Sequence, residues 1–223
     1  MKRWIGESKR LWVEQLLDSN IRTSTLGLGF GAEMVFTNEA SLHYMRLFTA
    51  LDLPSAIRER YADLQAPEAL DARWPSPHQF HVTVRFIGDA TPDQAERYES
   101  ALLTLDAPSV ECIPYGLDVL PSRHNPSVLI VGLERTPPLM SVYQAVSTAL
   151  ENEGLDSDPR SYQPHVTLAR LNNCPASIVH AFLKERADVP LPSFSVNALH
   201  LYESTLMSDG AIHERRASVR LSE

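Results

Sequence analysis

The sequence is poor in cysteine and has no long apolar run. Cys112 and Cys174 lie 62 residues apart without CxxC spacing or a Cys/His ligand pattern, which argues against a zinc knuckle and against a disulfide framework. No stretch approaches the roughly 18 apolar residues of a membrane span, and the N-terminus lacks the features of a signal peptide. These absences predict a cytoplasmic protein that is neither inserted in a membrane nor exported.

Positive charge is also in deficit, since the chain carries a net charge of −8. Proteins that coat long nucleic acids use a broad basic surface that displaces counterions, so this balance argues against that class. A local anion site is compatible with it. From residue 45 onward the cations are fourteen arginines and one lysine, Lys184, so such a site would use planar guanidinium groups.

Proline is absent from the first 44 residues, whereas all sixteen prolines lie between Pro54 and Pro192. Within this segment, residues 9 to 18 have the pattern of a short amphipathic helix, and the glycine-spaced stretch GLGFG lacks the spacing of a nucleotide-binding loop. We therefore expect residues 1 to 44 to be an N-terminal extension, flexible or a misassigned start, and residues 45 to 223 to form the folded domain.

The remaining sequence alternates between strand and helix patterns. Helices are expected after Pro54, from Thr91 to Leu105, from Thr136 to Gly154 and from Pro175 to about Arg186. Strands are expected at 45 to 53, 80 to 88, about 109 to 119, 127 to 133, 164 to 171, about 193 to 202 and about 213 to 221, with a turn at 121 to 126. Short helices between strands in both halves predict an α+β fold with two similar lobes.

Two nearly identical tetrapeptides, HVTV at 81 to 84 and HVTL at 165 to 168, fall in matching strand contexts. Side chains alternate between the faces of a strand, so a histidine and a threonine from each copy share one face about 7 Å apart. In the first copy, regular alternation predicts that the side chains of one face point inward and those of the other point outward. The inward residues are Phe80, Val82, Val84 and Phe86, and the outward residues are His81, Thr83 and Arg85. If the two strands face each other across a cleft, the site contains two imidazoles and two hydroxyls.

Paired imidazoles suit acid-base hydrolysis of a phosphodiester. Their unperturbed pKa near 6.5 lets one be neutral and the other charged at physiological pH, so one can remove a proton from water while the other protonates the leaving oxygen. The hydroxyls of Thr83 and Thr167 can donate hydrogen bonds to the non-bridging phosphate oxygens. No metal is needed, and no carboxylate cluster lies near the motifs to hold one. A strand histidine by itself is more often structural, and only the repetition favours catalysis.

The paired HXTX motifs, their separation, the opening RLFTALDLP, the extended PHVTLAR and the late LHLYES resemble the 2H phosphoesterases. The similarity extends over residues 45 to 223 and is greatest to the bacterial RNA 2′,3′-cyclic phosphodiesterases, also called 2′-5′ RNA ligases. It implies two pseudo-symmetric lobes of antiparallel sheet with flanking helices around a central cleft. It also implies metal-independent opening of a 2′,3′-cyclic phosphate to a 2′-phosphate, without a cofactor.

The resemblance assigns the acid to His81 and the base to His165, an order that the residues themselves do not fix. It makes Thr83 and Thr167 phosphate ligands and Arg170 an anchor for the same phosphate. An offset of five from His165 puts Arg170 on the opposite face of a regular strand, so a bulge would have to turn it. Arg85 is an alternative cation, with an exposed sheet residue as the competing interpretation.

Other positions bear on the substrate end of the cleft. Phe48 lies on the opening strand, where relatives can stack a base, although a core position is the simpler interpretation. Gln163 stands where many relatives have arginine, and His213 replaces an aromatic residue common after the glycine.

RNA termini or small cyclic nucleotides are the expected substrates, since the acidic surface repels a long polyanion. There are three alternatives. The substrate could be another cyclic phosphate, such as one derived from ADP-ribose; the same site could carry out reverse 2′-5′ ligation; or the protein could be a non-catalytic nucleotide- or RNA-binding module. A monomer is expected.

Overall fold

The structure is a computed structural model that describes residues 44 to 207 and 210 to 222. The expectations for residues 1 to 43, including the short helix and the flexible glycine stretch, lie outside the described residues. The described chain belongs to one compact unit.

Strands and short helices alternate through most of this unit. The helices are α1 (Ser55–Ala62), α2 (Pro92–Leu103), α3 (Pro137–Asn152) and α4 (Ala176–Glu185), with a 3-10 turn at Pro77–Gln79. The strands are β1 (Met45–Asp52), β2 (Ala72–Arg73), β3 (His81–Ala90), β4 (Val110–Cys112), β5 (Pro114–Ser122), β6 (Asn125–Leu133), β7 (His165–Leu171), β8 (Phe194–Val196), β9 (Ala198–Met207) and β10 (Gly210–Arg220).

Most element boundaries agree with the sequence pattern, and the differences have local causes. The Thr91 hydroxyl and the Gln94 side chain form the expected capping box at the start of α2. Helix α3 begins after Thr136 as expected, but the Thr136 hydroxyl makes no hydrogen bond among the described residues. The turn expected at 121 to 126 is present but limited to Arg123 and His124, because β5 and β6 pair as far as Ser122 and Asn125.

One large antiparallel sheet organises the molecule, in the order β10, β9, β1, β3, β7, β6, β5, with β2 added alongside β7. The order strand, helix, motif strand, helix occurs twice: β1, α1, β3 and α2 in the first half, and β6, α3, β7 and α4 in the second. In each half the motif strand pairs with the strand that starts the unit, and the two motif strands pair with each other. The predicted α+β fold is confirmed.

The main core lies between this sheet and its helices. Helix α3 contributes Leu139, Val142, Val146 and Leu150, each fully buried as the apolar stripe predicts. Tyr143, expected in the same stripe, is only partly buried and stacks on Tyr162, with ring centroids 4.2 Å apart. We call the side of the sheet that packs on helices the helix face and the other side the motif face. None of the helices in the described part of the chain has the length and apolarity to cross a membrane.

Candidate active site

The two tetrapeptides lie side by side on the central pair of strands. Val82 of β3 is paired antiparallel with Val166 of β7, and both side chains are completely buried on the helix face. The sequence suggested that the two motif strands face each other across a cleft. They instead pair directly within one sheet. Because side chains alternate, the neighbouring histidines and threonines emerge together on the motif face.

The register of that pair sets the spacing of the four polar side chains. Continued by one residue in each direction, it places His81 opposite Thr167 and Thr83 opposite His165. The histidines are then diagonal neighbours, with Cβ atoms roughly 7–8 Å apart, and each has a threonine of the other motif directly opposite. This separation leaves room for a tetrahedral phosphate between two imidazoles, and all four side chains remain half-buried.

Both imidazoles are held by the same backbone contact. Nδ1 of His81 lies 2.7 Å from the carbonyl oxygen of Gln79, and Nδ1 of His165 lies 2.7 Å from the carbonyl oxygen of Gln163. A carbonyl oxygen only accepts hydrogen bonds, so Nδ1 carries the proton in each neutral ring. Nε2 is thus the atom of each ring that can exchange a proton with a ligand.

The environment favours the neutral form of both histidines. Burial lowers the pKa of His81 to about 4; the positive charges of His213 and His165 lower it further, while the Gln79 carbonyl and Asp52 oppose them. Burial also lowers the pKa of His165, and the charge of Arg170 acts in the same direction. A bound phosphate anion would reverse part of this shift, because an opposite charge stabilises an imidazolium.

The threonine hydroxyls of both motifs are available to a ligand. Neither Thr83 nor Thr167 uses its hydroxyl in a hydrogen bond within residues 44 to 207 and 210 to 222. The backbone of Thr83 is fixed instead by its carbonyl, which accepts a hydrogen bond of 3.2 Å from the Tyr162 hydroxyl. Two free donors beside two imidazoles suit the non-bridging oxygens of a phosphodiester.

Arg85 does not belong to this group, and its expected outward position is wrong. Its guanidinium is 4% exposed on the helix face, where it donates to the carbonyl of Asp156 at 2.7 Å and lies 3.3 Å from the Asp158 carboxylate. The pairing of β1 with β3 skips Val84, which forms a β-bulge and reverses the alternation beyond it. The buried Thr49 hydroxyl accepts a hydrogen bond of 3.1 Å from the Arg85 amide and stabilises the bulge.

A bulge at the matching place in the second motif brings Arg170 to the motif face. The pairing of β6 with β7 skips Leu168, so that Ala169 turns into the core and Arg170 becomes exposed beyond Thr167. Gln65 donates a hydrogen bond of 3.2 Å to the Leu168 carbonyl. The bulge that the odd offset required is therefore present.

The same bulge in the first half exposes a residue that the alternation had placed in the core. Phe86, five residues after His81 as Arg170 is after His165, is 58% exposed. The equal offsets were visible in the sequence and could have identified this position. Phe48 itself is 4% exposed, and its ring centroid lies 5.0 Å from the rings of both His81 and His213. It supports the His81 ring and offers little surface for a stacked base.

An acidic group that the sequence pattern does not predict lies near His81. Asp52 is the cross-strand partner of His81 and accepts hydrogen bonds of 2.7 Å from Tyr202 and from Arg215. The only indication in the sequence was the late LHLYES motif, which contains Tyr202. These residues and His213 line a cavity of about 440 Å³ beside His81, a volume in the range of small-ligand sites.

This sheet, its internal symmetry and its paired histidines define a class of phosphoesterase. The family model described as the 2′-5′ RNA ligase superfamily matches residues 50–206, and the chain belongs to this family.

Curated relatives agree with that assignment. An RNA 2′,3′-cyclic phosphodiesterase of Aeropyrum pernix is 29% identical over 145 residues, which cover 63% of this chain and 81% of the relative. A protein of the same name from Thermotoga maritima is 24% identical over 175 residues, covering 76% and 92%. The structure of E. coli LigT complexed with 3′-AMP superposes with a TM-score of 0.63 at 22% identity, covering 81% of this chain and 100% of that one. That likeness shows the fold.

Proposed function

We propose that this protein hydrolyses 2′,3′-cyclic phosphates at RNA ends or on small nucleotides and leaves a 2′-phosphate. The observation that carries the proposal is the pairing of Val82 with Val166, which puts the imidazoles of His81 and His165 on one face of one sheet. Relatives named RNA 2′,3′-cyclic phosphodiesterase support hydrolysis of such a cyclic phosphate. A binding module would need neither of two proton-transfer groups at this spacing.

Each step of the reaction uses a group whose position is fixed. Nε2 of His165 takes a proton from water as the water oxygen forms a bond to phosphorus. Nε2 of His81 gives its proton to the 3′ oxygen as the bond between phosphorus and that oxygen breaks. The order of the two roles follows the family. Thr83 and Thr167 donate to the non-bridging oxygens, and Arg170 supplies a positive charge from the end of β7.

The low pKa of His81 makes its acid role depend on the substrate. An imidazole with a pKa of about 4 is almost entirely neutral at pH 7. The negative charge of a bound cyclic phosphate favours the protonated ring, so binding of substrate promotes protonation of His81. The enzyme is thereby poised to protonate a leaving oxygen only when an anion occupies the site.

The direct test compares His81→Ala and His165→Ala with the wild type on a nucleoside 2′,3′-cyclic phosphate in the presence of EDTA. Each substitution should lower kcat by roughly a hundredfold to ten-thousandfold, because it removes one acid-base group. His124→Ala, in the exposed turn after β5, is the matched control and should keep full activity. Equal rates in all four proteins would disprove the proposal, whereas nucleotide binding without turnover would favour the binding module.

Joining of RNA ends is a second candidate that the family description favours. The same groups join RNA ends if a 5′-hydroxyl replaces water as the nucleophile. His165 takes the proton of that hydroxyl as its oxygen bonds to phosphorus, and His81 protonates the 3′ oxygen as its bond to phosphorus breaks, which leaves a 2′-5′ linkage. Incubation of a 2′,3′-cyclic end with a 5′-hydroxyl RNA and analysis of the linkage distinguish the two. A 2′-5′ linkage that is absent from both histidine variants supports ligation at this site.

We also infer a monomer that works in the cytoplasm. One chain supplies both motifs of a site, so a second copy is not required to complete it. A reducing compartment agrees with two cysteines that lack the pattern of a disulfide framework. Light scattering at assay concentrations should give the mass of one chain, and specific activity should not change on dilution.

A further inference from the structure

Among the described residues, four arginines of the sheet have no acidic partner: Arg46, Arg73, Arg170 and Arg220. Among residues 44 to 207 and 210 to 222, Arg46, Arg73 and Arg170 take part in no salt bridge and no side-chain hydrogen bond. Other arginines of the same sheet behave differently: Arg85 lies near Asp158, and Arg215 is bonded to Asp52. We call Arg46, Arg73 and Arg170 the arginine cluster; Arg220, at the other end of β10 from Gly210, is not part of it.

The fold brings Arg73 and Arg170 together at the far end of the second motif strand, and the positive charge of Arg46 on β1 also acts on Arg170. Arg73 of β2 is the direct cross-strand partner of Arg170 in β7, and such partners have Cβ atoms about 4.5–5.5 Å apart. The Arg73 guanidinium also reaches the β9 and β10 hairpin, where a side chain on Gly210 would lie 2.5 Å from its Nη2. Gly210, with a φ of 148°, therefore leaves space for this guanidinium.

Within the part of the chain that the structure describes, no acidic side chain forms a salt bridge with a member of the cluster. Partial burial of its guanidinium lowers the pKa of Arg170, and the positive charges of Arg73 and Arg46 lower this pKa further. Asp89 is the cross-strand partner of Arg46, yet the two side chains form no salt bridge. Like charges held together without a counter-ion are destabilising unless an anion binds there. The surrounding net charge of −8 makes this concentration of positive charge a local feature.

The number of charges exceeds what the reactive phosphate needs. A cyclic phosphate carries one negative charge, and Arg170 together with the two threonines already provides for it. Arg170 lies about four strand intervals from His165, roughly 13 Å along the backbone, and Arg73 flanks it on the side away from β6. We propose that the arginine cluster, through Arg73 and Arg46, binds a second phosphate of the substrate.

This inference rests on the proposed function and narrows it. A second phosphate can come from the next phosphodiester of an RNA chain or from a 5′-phosphate on the cyclic nucleotide itself. Both sources offer oxygens that a guanidinium fork can bind in a bidentate manner. The preferred substrate is therefore a cyclic phosphate that carries at least one further phosphate, and a nucleoside 2′,3′-cyclic phosphate alone is a poorer one.

The experiment compares three substrates: a nucleoside 2′,3′-cyclic phosphate, its 5′-phosphorylated form, and a dinucleotide that ends in the same cyclic phosphate. Wild-type kcat/KM should be roughly ten- to a hundredfold higher with a second phosphate, the usual effect of one charge-assisted hydrogen bond. A preference for the dinucleotide alone identifies the RNA chain as the source of the second phosphate. An equal preference for the dinucleotide and the 5′-phosphorylated nucleotide shows that the cluster accepts either phosphate.

Arg73→Gln tests the residue. It should reduce the preference for the second phosphate to near one, Arg73→Lys should restore part of it, and Arg46→Gln should act in the same direction. Arg97→Gln, which removes an exposed arginine from α2, should leave the preference unchanged. The slope of log kcat/KM against log salt for the dinucleotide should fall by about 0.7 in Arg73→Gln.

The outcomes separate this inference from the proposed function. Wild-type hydrolysis of all three substrates with equal kcat/KM, or an unchanged preference in both Arg73→Gln and Arg46→Gln, would overturn the second phosphate site and leave the reaction intact. Absence of wild-type turnover on every substrate would instead count against the proposed function. Circular dichroism of each variant shows whether a loss comes from unfolding.

Discussion

At the scale of single residues, the site depends on how two histidines are held. Each ring donates from Nδ1 to the carbonyl two residues earlier, at 2.7 Å in both cases. The sequence gives the reason for the similarity, because the segments QFHVT and QPHVT have the same spacing from glutamine to histidine. What differs is the charge around them: His81 lies near His213 and Asp52, and His165 lies near Arg170.

The pH dependence follows from the lowered pKa values. Turnover requires protonated His81 and neutral His165. In the free enzyme His81 loses its proton as the pH rises above about 4. His165 becomes protonated as the pH falls through its pKa, which lies below 6.5. We therefore expect kcat/KM, which reports the free enzyme, to be greatest below pH 6.5 and to decline through neutral pH. The alkaline limb of kcat should lie at higher pH, because the bound anion favours protonated His81. Stopped-assay profiles from pH 4 to 9 measure both limbs, and a kcat/KM optimum above pH 7 would contradict the assignment.

At the scale of secondary-structure elements, two β-bulges decide which residues reach the site. Val84 and Leu168 occupy the fourth position of each motif, and the alternation of side chains reverses after each of them. The reversal buries Arg85 and exposes Phe86 in β3, and it exposes Arg170 in β7. Regular alternation predicts the opposite arrangement for Arg85 and Phe86, and only the offset of five residues that Phe86 and Arg170 share pointed to a bulge.

Burial of Arg85 makes it a structural residue that joins β3 to the segment after α3. Arg85→Met should lower the free energy of unfolding by about 2–3 kcal/mol, because hydrogen bonds to the Asp156 carbonyl and contacts to Asp158 are lost. This loss of stability is smaller than that expected for breaking a fully buried ion pair, because Asp158 keeps its salt bridge with Arg160. Urea unfolding measures the change, with the exposed Arg97→Met as the control. Equal midpoints for the two variants would show that the buried network contributes little.

At the scale of the whole molecule, the site exists because two similar halves meet at β3 and β7. Each half supplies one strand, one histidine and one threonine, and neither half holds a complete acid-base pair. Among the described residues, both halves and the strands that flank them lie from Met45 onward. That the first 44 residues are an extension of the catalytic domain stays a prediction.

We expect a chain that begins at Met45 to fold and to retain catalysis. Every catalytic and phosphate-binding residue proposed here lies within it, and the core of the described residues is formed from Met45 onward. Thermal unfolding and kcat/KM, compared with the full chain, are the measurements. The same truncation carrying His165→Ala serves as the inactive control. A truncated protein that is unfolded, or folded but inactive, would assign residues 1 to 44 a necessary role.

The sequence by itself determined the residue types of the site, the α+β class and most of the element boundaries. Periodicity, capping residues and a repeated tetrapeptide are local properties, and local properties can be read without coordinates. Only the tertiary structure decided that the two motifs pair directly, that Arg85 is buried and that Arg73 joins Arg170. Strand pairing and bulges depend on contacts between residues far apart in the chain, and a shift of one residue moves every later side chain to the opposite face.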